Sequence, residues 1–249
     1  MKEYNLTYKP FGESAILIEW PSKIDESIIQ DIIRFEKIVV KNQKVADTVI
    51  AYNSLTVLYK HNYFYSLHYK YRKSLERTVE KLKELYDKEK EEVKRKQKTW
   101  LIPVSYDPKF GLDLEEIAKE KELSIDEVIQ RHSTPSYLIY FLGFQPGFLY
   151  LGGLDKQIHM PRRANPRLRI EKGSVGIGGE QTGIYPSSSA GGWNIIGKSP
   201  INFFDIAKPQ PCFARAGDSI QFQPVNLEAF YKIQDEVKKG MYQLKYDWV

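Results

Sequence analysis

The chain has 249 residues, of which 42% are hydrophobic and 13% aromatic, so it can bury the core of one large domain or two small ones. It has no run of about 18 apolar residues that would predict a transmembrane helix, and its first residues lack the apolar core of a secretory signal. The single cysteine, Cys212, excludes an internal disulfide and a cysteine-based zinc cluster. Together these features predict a cytoplasmic protein.

The net charge of +5 is concentrated in residues 70–98, which hold 12 Lys and Arg against 7 Asp and Glu, a surplus equal to that of the whole chain. The signs are mixed within this stretch. Oppositely charged residues recur at the i,i+4 spacing of a helix, as in Glu84–Lys88, Glu91–Arg95 and Glu92–Lys96. The pattern predicts a solvated helix face rather than a nucleic-acid-binding patch.

Residues 1–106 show an alternating order of predicted strands and helices. Runs of β-branched and apolar residues predict strands, and apolar residues at helical spacing predict helices. In chain order the elements are a strand at 14–20, a helix at 24–42, two strands at 46–52 and 55–60 joined as a hairpin, a charged helix at 70–98 and a strand at 100–106. This β-α-β-β-α-β order predicts an α+β, ferredoxin-like domain over residues 1–106.

The second predicted domain, residues 107–249, begins with two short helical patterns. Ser124 and Glu127 form a capping-box signature at the start of the second one. Acidic residues in that helix would repel phosphate, which disfavours a DNA-binding helix-turn-helix and favours a connecting helical pair. Between residues 135 and 225, short β-rich runs alternate with glycine and proline, which predicts an all-β barrel or sandwich. Residues 226–249 predict a closing helix.

The stretch "YFLGFQPGFLYLGGL", from Tyr140 to Leu154, combines five aromatic residues with four glycines and a proline. Glycine lets the chain turn sharply or lets another molecule approach, aromatic residues supply apolar walls, and Gln145 supplies a donor and an acceptor. The stretch predicts either a bent barrel strand that borders a small-molecule pocket, or a glycine-kinked corner packed by core aromatics.

Four arginines lie within eight residues of the segment "MPRRANPRLRI", namely Arg162, Arg163, Arg167 and Arg169. A guanidinium group binds a carboxylate or a phosphate through two parallel hydrogen bonds, and the two prolines stiffen the segment. The run therefore predicts at least one arginine directed at an anionic ligand. The alternative is a set of exposed charges at the start of a strand.

A glycine-rich stretch follows at residues 173–200. Within "GEQTGIYP", Gln181, Thr182 and Tyr185 are polar groups in a glycine-rich frame, and Trp193 offers a face for stacking or packing. The letters "GWNIIGKS" fit the phosphate-loop string, but a proline and no amphipathic helix follow them, so no phosphate loop is predicted.

His132 directly precedes the aromatic and glycine-rich stretch, in "RHSTPSY". This position makes it a candidate general acid–base, although a lone histidine is more often structural. The sequence shows no nucleophile elbow and no metal-ligand spacing of histidines.

Six ordered motifs carry a resemblance: "HSTPSYLIYFLGFQPGFLYLGGL", "PRRANPRLRI", "GSVGIGGEQTGIYP", "GGWNIIGKSP", "FFD" and "AGDSIQFQPV". On these motifs the chain resembles the family of 5-oxoprolinase B subunits, also called allophanate hydrolase subunit 1 or the sporulation-kinase-inhibitor family. The resemblance is strong over residues 105–225 and weaker, in element order, over residues 1–104.

This resemblance implies an N-terminal α/β domain followed by a cyclophilin-like β-barrel. It implies one part of an enzyme that also needs the A subunit of 5-oxoprolinase and its biotin-dependent carboxyltransferase-like C subunit. The complex of the three proteins would hydrolyse ATP and open 5-oxo-L-proline to L-glutamate, and the resemblance leaves open which of the three binds ATP. A histidine-kinase inhibitor and half of a carboxyltransferase of the urea amidolyase type are the alternatives. No metal, nucleic acid or membrane is expected as a partner.

The family motifs are transferred to this chain residue by residue. The expected catalytic residues are His132, Gln181 and Tyr185. The expected substrate- or nucleotide-binding residues are Phe144, Gln145, Gly147, Arg162, Arg163, Arg167, Thr182 and Trp193. Gln145, Arg163, Gln181 and Tyr185 are expected to share one pocket, so that Arg163→Ala abolishes the activity of the assembled complex without unfolding the chain.

Three positions depart from the family pattern, because Leu149, Glu171 and Ala190 stand where a proline is common. Each departure removes a conformational restraint, so we expect looser loops around the predicted pocket.

Overall fold

The computed structural model describes residues 4–60, 68–88 and 96–248. Contacts between Cα atoms divide the chain into two units, Met1–Arg95 and Lys96–Val249. Within the described ranges, no helix is both long enough and apolar enough to cross a membrane.

The first unit contains a four-stranded antiparallel sheet with the strand order β1-β2-β4-β3. The strands are β1 (Thr7–Phe11), β2 (Ala15–Glu19), β3 (Val45–Ile50) and β4 (Ser54–Tyr59). Strands β3 and β4 pair as neighbours, which confirms the predicted hairpin. Strand β4 alternates buried and half-buried residues, as expected for a strand with one face on a core.

Two helices accompany this sheet, α1 (Glu26–Val39) and α2 (His68–Lys88). The side chain of Asp25 caps α1 by accepting a hydrogen bond from the backbone of Ser27. Helix α1 lies inside the predicted range of 24–42. Of the three predicted i,i+4 pairs, Glu84–Lys88 is present at 3.5 Å, and the other two include positions outside the described residues.

The last strand of the predicted first domain belongs to the second unit. Strand β5 (Lys98–Val104) pairs in parallel with β13 (Ser219–Pro224). In the first sheet, β1 occupies the edge beside β2, so the predicted role of residues 100–106 as the fourth strand of a ferredoxin-like sheet is wrong. The reason is burial, since Ile102 and Val104 are fully buried in the core of the second unit. The division between the units therefore falls before β5 rather than at residue 107.

The main sheet of the second unit has five strands in the order β14-β5-β13-β6-β7. The remaining three are β6 (Ser136–Leu142), β7 (Leu149–Gly152) and β14 (Tyr246–Trp248). Only the β5–β13 pair in this sheet is parallel. The segment "FLGFQPGF" thus forms an antiparallel hairpin, with residues 143–148 connecting β6 and β7, rather than the single bent strand that was predicted.

Two smaller sheets complete the unit. One has the order β10-β9-β12 and the other pairs β11 with β8. Their strands are β8 (Arg167–Ile170), β9 (Ser174–Gly178), β10 (Gln181–Ile184), β11 (Ser189–Gly191) and β12 (Asn194–Lys198). Across the described residues the strands of this unit form three separate sheets and no sheet closes on itself, so the expected closed barrel stays a prediction. Besides the ladders of these short strands, isolated bridges join Ser105 to Lys198 and Met160 to Gly179.

Three α-helices pack in the second unit, α3 (Leu114–Glu120), α4 (Ile125–Ser133) and α5 (Leu227–Lys238). The predicted capping box is confirmed, because Ser124 and Glu127 bond reciprocally at the start of α4. Helix α5 ends at Lys238, and the predicted continuation to the C-terminus is wrong because residues 246–248 pair with β5 as β14.

Candidate functional site

A compact group of buried side chains lies below the β6–β7 connection, and we call it the aromatic cluster. It consists of Phe148, Ile170, Tyr185, Trp193 and Ile195. The rings of Phe148, Tyr185 and Trp193 meet edge to face at centroid distances of 5.8–6.3 Å. Edge-to-face packing is a favourable geometry for aromatic rings, and the cluster forms an apolar surface beneath the loop.

The β6–β7 connection lies over this apolar surface and exposes Phe144 to solvent. Its side chain is 74% exposed, and its backbone adopts a positive φ of 65°, which is uncommon for a residue other than glycine. Its ring contacts Phe148 at 5.9 Å, and the next residue, Gln145, accepts a hydrogen bond from the Ser187 hydroxyl at 3.0 Å. Non-glycine residues in this backbone conformation cluster at active sites and ligand-binding sites, which makes Phe144 a candidate for binding.

Gly147 ends this turn with a φ of 83°. A Cβ atom there would lie 2.8 Å from the Cβ of Phe204 and 2.9 Å from the carbonyl oxygen of Phe203. Glycine is therefore required by the backbone and by packing. The backbone conformation and the packing are sufficient to explain a glycine at position 147. The expected contact of Gly147 with a ligand stays a prediction.

Arg162 lies beside the aromatic cluster, with its guanidinium carbon 6.0 Å from the ring centroid of Trp193. The residue is exposed and makes no ion pair with another described residue. A guanidinium group over an indole face is a favourable cation–π arrangement that leaves its N–H donors available.

Arg163 and Arg167 instead point at an acidic residue of the same unit. Arg163 donates to Asp113 at 2.9 Å and to Glu116 at 2.9 Å, and Arg167 donates to both oxygens of Asp113 at 2.8 and 2.6 Å. The hydrogen bond to Glu116 and the charge of Asp113 raise the pKa of Arg163. We call these four residues the arginine–aspartate network.

Asp113 is the residue of this network that the sequence did not reveal. It is 2% exposed and also accepts a hydrogen bond from the backbone N–H of Ile195 at 2.6 Å. Asp113 lies directly before α3, where an aspartate usually caps the N-terminus of the helix, yet its side chain makes no capping hydrogen bond. Its carboxylate instead joins the arginine segment to β12, below the surface where Arg162 lies.

His132 is fully buried and forms a chain of hydrogen bonds with Tyr106 and Thr182, which we call the buried relay. Its Nδ1 lies 2.7 Å from the Tyr106 hydroxyl and its Nε2 lies 2.7 Å from Thr182 Oγ1. Because Thr182 donates to the carbonyl oxygen of Gly176, it accepts from Nε2–H, and Tyr106 must then donate to Nδ1.

Burial lowers the pKa of His132 to about 3, so the imidazole stays neutral near pH 7. It also stacks on Phe222 at 4.5 Å. Both ring nitrogens are engaged and no ring atom is exposed, which favours a structural role. The catalytic role of His132 and the ligand contact of Thr182 stay predictions.

Of the two other predicted catalytic residues, Tyr185 belongs to the aromatic cluster. Gln181 begins β10, half-buried and paired in register with Gly178. Tyr185 is 4% exposed, and burial raises its pKa. In the described part of the chain, no group of three or more histidine, cysteine or acidic side chains is placed to hold a metal ion.

The three departures from the family pattern take different places. Leu149 is buried in the main core at the start of β7. Glu171 forms an ion pair with Lys198, which lowers the pKa of the Glu171 carboxyl, and Ala190 is exposed in β11. Of the three positions, Leu149 is part of a hydrophobic core, whereas Glu171 and Ala190 are exposed.

Comparison with known proteins identifies the class of protein to which the chain belongs. Residues 6–214 match the family model described as carboxyltransferase domain, subdomain C and D. The urea amidolyase of Kluyveromyces lactis has a similar fold, with a TM-score of 0.76 over 99% of this chain and 16% of that chain, at 18% identity. The chain is thus a carboxyltransferase domain of the C and D type.

Similar characterised proteins identify the family within this class. The chain is 37% identical to the B subunit of 5-oxoprolinase from Escherichia coli O157:H7, across 86% of this chain and 93% of the relative. It is 36% identical to the B subunit of 5-oxoprolinase from Bacillus subtilis strain 168, across 90% and 95%. The chain belongs to the family of 5-oxoprolinase B subunits.

Proposed function

We propose that the chain is a subunit of an ATP-dependent 5-oxoprolinase, which opens 5-oxo-L-proline to L-glutamate. It acts in the cytoplasm with the A and C subunits of that enzyme, and it is inactive alone. The observation that carries this proposal is the identity of 36–38% to three B subunits of 5-oxoprolinase, over 93–95% of their lengths.

The surface above the aromatic cluster is the part of the chain that would contact the substrate or ATP. Both ligands are anionic, and Arg162 is an exposed cation without an ion-pair partner among the described residues. Phe144 adds an exposed ring, and Gln145 is held in place by Ser187. Arg162, in the segment before β8, and the β6–β7 connection thus supply one charge, one apolar face and one amide around the aromatic cluster.

The first experiment measures 5-oxoproline-dependent ATP hydrolysis and glutamate release. The purified chain is assayed alone and then mixed with the A and C subunits. Activity confined to the mixture supports the proposal. A verified complex without activity contradicts it and favours the carboxyltransferase alternative described below.

A matched pair of variants tests the role of Arg162. We expect Arg162→Gln to lower kcat/KM of the complex about tenfold or more, because a hydrogen bond to a charged group is worth about 1.5–3 kcal/mol. Arg169→Gln removes another exposed arginine of the same segment and should leave kcat/KM close to the wild-type value. Equal effects of the two substitutions would show that only the net charge matters.

Half of a biotin-dependent carboxyltransferase is the second candidate function. The fold similarity to urea amidolyase favours it, although that similarity concerns the fold alone. Carboxyl transfer from carboxylated biotin to an amide, measured in the presence of the C subunit, would support this candidate over lactam opening.

The finer fold assignment, a ferredoxin-like domain followed by a cyclophilin-like barrel, also stays a proposal. The order β2-β4-β3 matches three strands of a ferredoxin-like sheet, and β1 takes the place that was predicted for residues 100–106. An experimental structure of the complex would test the second part, since the three sheets of the second unit must then join into one barrel.

A further inference from the structure

Arg162 is held by hydrogen bonds to the residues on both sides of it in the sequence. The residue before it, Pro161, accepts a hydrogen bond on its carbonyl oxygen from Asn194 Nδ2 at 2.8 Å. The residue after it, Arg163, donates its backbone N–H to the carbonyl oxygen of Gly192 at 2.7 Å. Both neighbours of Arg162 are therefore bonded to the same short segment of the chain.

This second segment carries Trp193 between its two bonded residues. The guanidinium carbon of Arg162 lies 6.0 Å from the ring centroid of Trp193. Because a ring face attracts a cation only within about 6 Å of its centroid, a small shift of either backbone would separate the two groups. The hydrogen bonds on either side of Arg162 therefore set whether its guanidinium group reaches the indole.

Asn194 provides the hydrogen bond to Pro161 from its place at the start of β12. Its side chain is almost completely buried, and Nδ2 donates both to the carbonyl oxygen of Pro161 and, at 3.2 Å, to that of Ile177 in β9. Both partners are acceptors, so the amide must turn its NH2 group towards them. One buried amide thus joins the segment of Arg162 to the ladder of β9 and β12.

Arg162 depends on these backbone contacts more than the neighbouring arginines do. The guanidinium groups of Arg163 and Arg167 are fixed directly by Asp113. Arg162 has no ion-pair partner in the part of the chain that the structure describes, and its guanidinium group meets the ring of Trp193. The position of its charge is therefore set by the backbone beneath it and by the indole.

We propose that Asn194 is a positioning residue of the surface above the aromatic cluster. Its amide holds the backbone at Pro161 and thereby keeps the guanidinium group of Arg162 over Trp193, where it binds an anionic ligand. Asn194 is buried and acts through Arg162 rather than on the ligand itself. The effect on catalysis rests on the proposed function, whereas the effect on the backbone does not.

A double-mutant cycle in the assembled complex tests this role. We expect Asn194→Ala to lower kcat/KM about fivefold or more when Arg162 is present, and by less than about twofold when Arg162→Gln has already been made. The reason is that Asn194 has nothing left to position once the guanidinium group is absent. A residue that serves stability alone would lower kcat/KM by the same factor in both backgrounds.

Ser199→Ala is the matched control, because Ser199 is another buried polar residue of the same unit, and its hydroxyl accepts a hydrogen bond from the backbone of Ile201. Its effect on kcat/KM should be equal with and without Arg162. If Asn194→Ala does not fold, Asn194→Ser, which retains one donor, replaces it in the cycle. Equal effects of the Asn194 substitution in both backgrounds, or no effect in either, would overturn the proposal.

Amide hydrogen exchange of the free chain measures the same role without any activity. We expect Asn194→Ala to speed exchange at the N–H of Arg163 about tenfold or more relative to the N–H of Ile139, which bonds to Asp218 in the main sheet. The ratio of the two rates separates local loosening from a general loss of stability. An unchanged ratio would overturn the proposal.

Failure of this proposal and failure of the proposed function give different results. If the mixed proteins are active and the cycle shows no coupling between Asn194 and Arg162, the positioning role fails although the function stands. If the mixture is inactive and exchange at Arg163 still rises selectively, the proposed function fails and Asn194 still holds the backbone of the arginine segment.

Discussion

Asp113 holds together three segments of the candidate site through a single carboxylate. It accepts hydrogen bonds from Arg163, Arg167 and the backbone of Ile195, although it is itself almost completely buried. A buried carboxylate is tolerated only when its charge is compensated in this way. Asp113 therefore fixes the arginine segment relative to β12.

We predict that Asp113→Asn lowers the free energy of unfolding by about 2–3 kcal/mol. Removing one partner of a fully buried ion pair costs about 3–5 kcal/mol, and the cost is smaller here because the side chains of Arg163 and Arg167 are 29% and 26% exposed and can be rehydrated. Urea unfolding of the two proteins measures the difference.

Glu116→Gln is the matched control, because Glu116 contacts the same arginine and its side chain is 54% exposed. It should change the free energy of unfolding by less than about 1 kcal/mol. A cost for Asp113→Asn no larger than that for Glu116→Gln would contradict the role of Asp113. Arg163→Ala was expected to abolish activity without unfolding the chain. Because Arg163 also binds Asp113, we now expect this substitution to lower the stability of the chain as well.

His132 gives the stability of the chain a dependence on pH. Its folded-state pKa of about 3 lies below the ordinary value of 6.5, so between these values the unfolded chain binds a proton that the folded chain does not. The stabilising contribution of neutral His132 is complete above about pH 6.5 and is lost as the pH falls towards 3.

We predict that the free energy of unfolding of the wild type falls more steeply than that of His132→Gln between pH 6.5 and 4.5. The difference in slope should approach about 1.4 kcal/mol per pH unit. Urea unfolding at several pH values gives both slopes, and the comparison of slopes is independent of the loss of stability that the substitution itself causes. Parallel pH profiles would show that His132 is accessible to protons in the folded chain.

At the residue scale, the sequence indicated which side chains are unusual but not what they contact. The arginine run predicted at least one arginine directed at an anionic ligand, whereas Arg163 and Arg167 bind the internal carboxylate of Asp113, fifty or more positions earlier, and their contact with a ligand stays a prediction. The partners of His132 are likewise distant in the chain, at Tyr106 and Thr182. Such pairings depend on the tertiary fold and leave no local pattern.

At the scale of elements, the C-terminal strand β14 is held by a cluster of aromatic residues around one lysine. The ammonium group of Lys98 lies 4.7 Å from the ring centroid of Trp100, 3.8 Å from that of Tyr246 and 5.0 Å from that of Trp248. Strand β14 has only three residues, all exposed, and it is otherwise held by its antiparallel pairing with β5.

We predict that Lys98→Met lowers the free energy of unfolding by about 1 kcal/mol and increases amide hydrogen exchange along β14. Methionine keeps most of the apolar stem but removes the charge that the rings attract. Lys245→Met changes the exposed lysine just before β14 and serves as the control. Equal exchange in both variants would contradict a role for the cation–π contacts.

Local signals predicted helices and hairpins better than they predicted strand partners. Helical spacing located α1, and the Ser124–Glu127 signature located the start of α4. The partner of β5 could not be predicted in this way, because the register joins Trp100 to Ile220 across most of the second unit. The strand β14 was missed since three exposed residues carry no alternation of buried and exposed positions.

At the scale of the whole molecule, the position of β5 decides where the chain can be divided. The strand lies between β14 and β13 in the main sheet, and Trp100, Ile102 and Val104 are buried in the core of the second unit. No strand of that sheet begins before Lys98. The predicted boundary at residue 107 would therefore remove an internal strand.

We predict that a fragment of residues 96–249 folds cooperatively, whereas a fragment of residues 107–249 does not. Burial of each large apolar side chain contributes about 1.5–3 kcal/mol, so losing Trp100, Ile102 and Val104 removes an amount comparable with the whole stability of a typical domain, about 5–15 kcal/mol. The shorter fragment also leaves β13 without its parallel neighbour. Near-ultraviolet circular dichroism and urea unfolding of both fragments test this, and a sharp transition for the shorter fragment would mean that β5 is dispensable and that the boundary at 107 is correct.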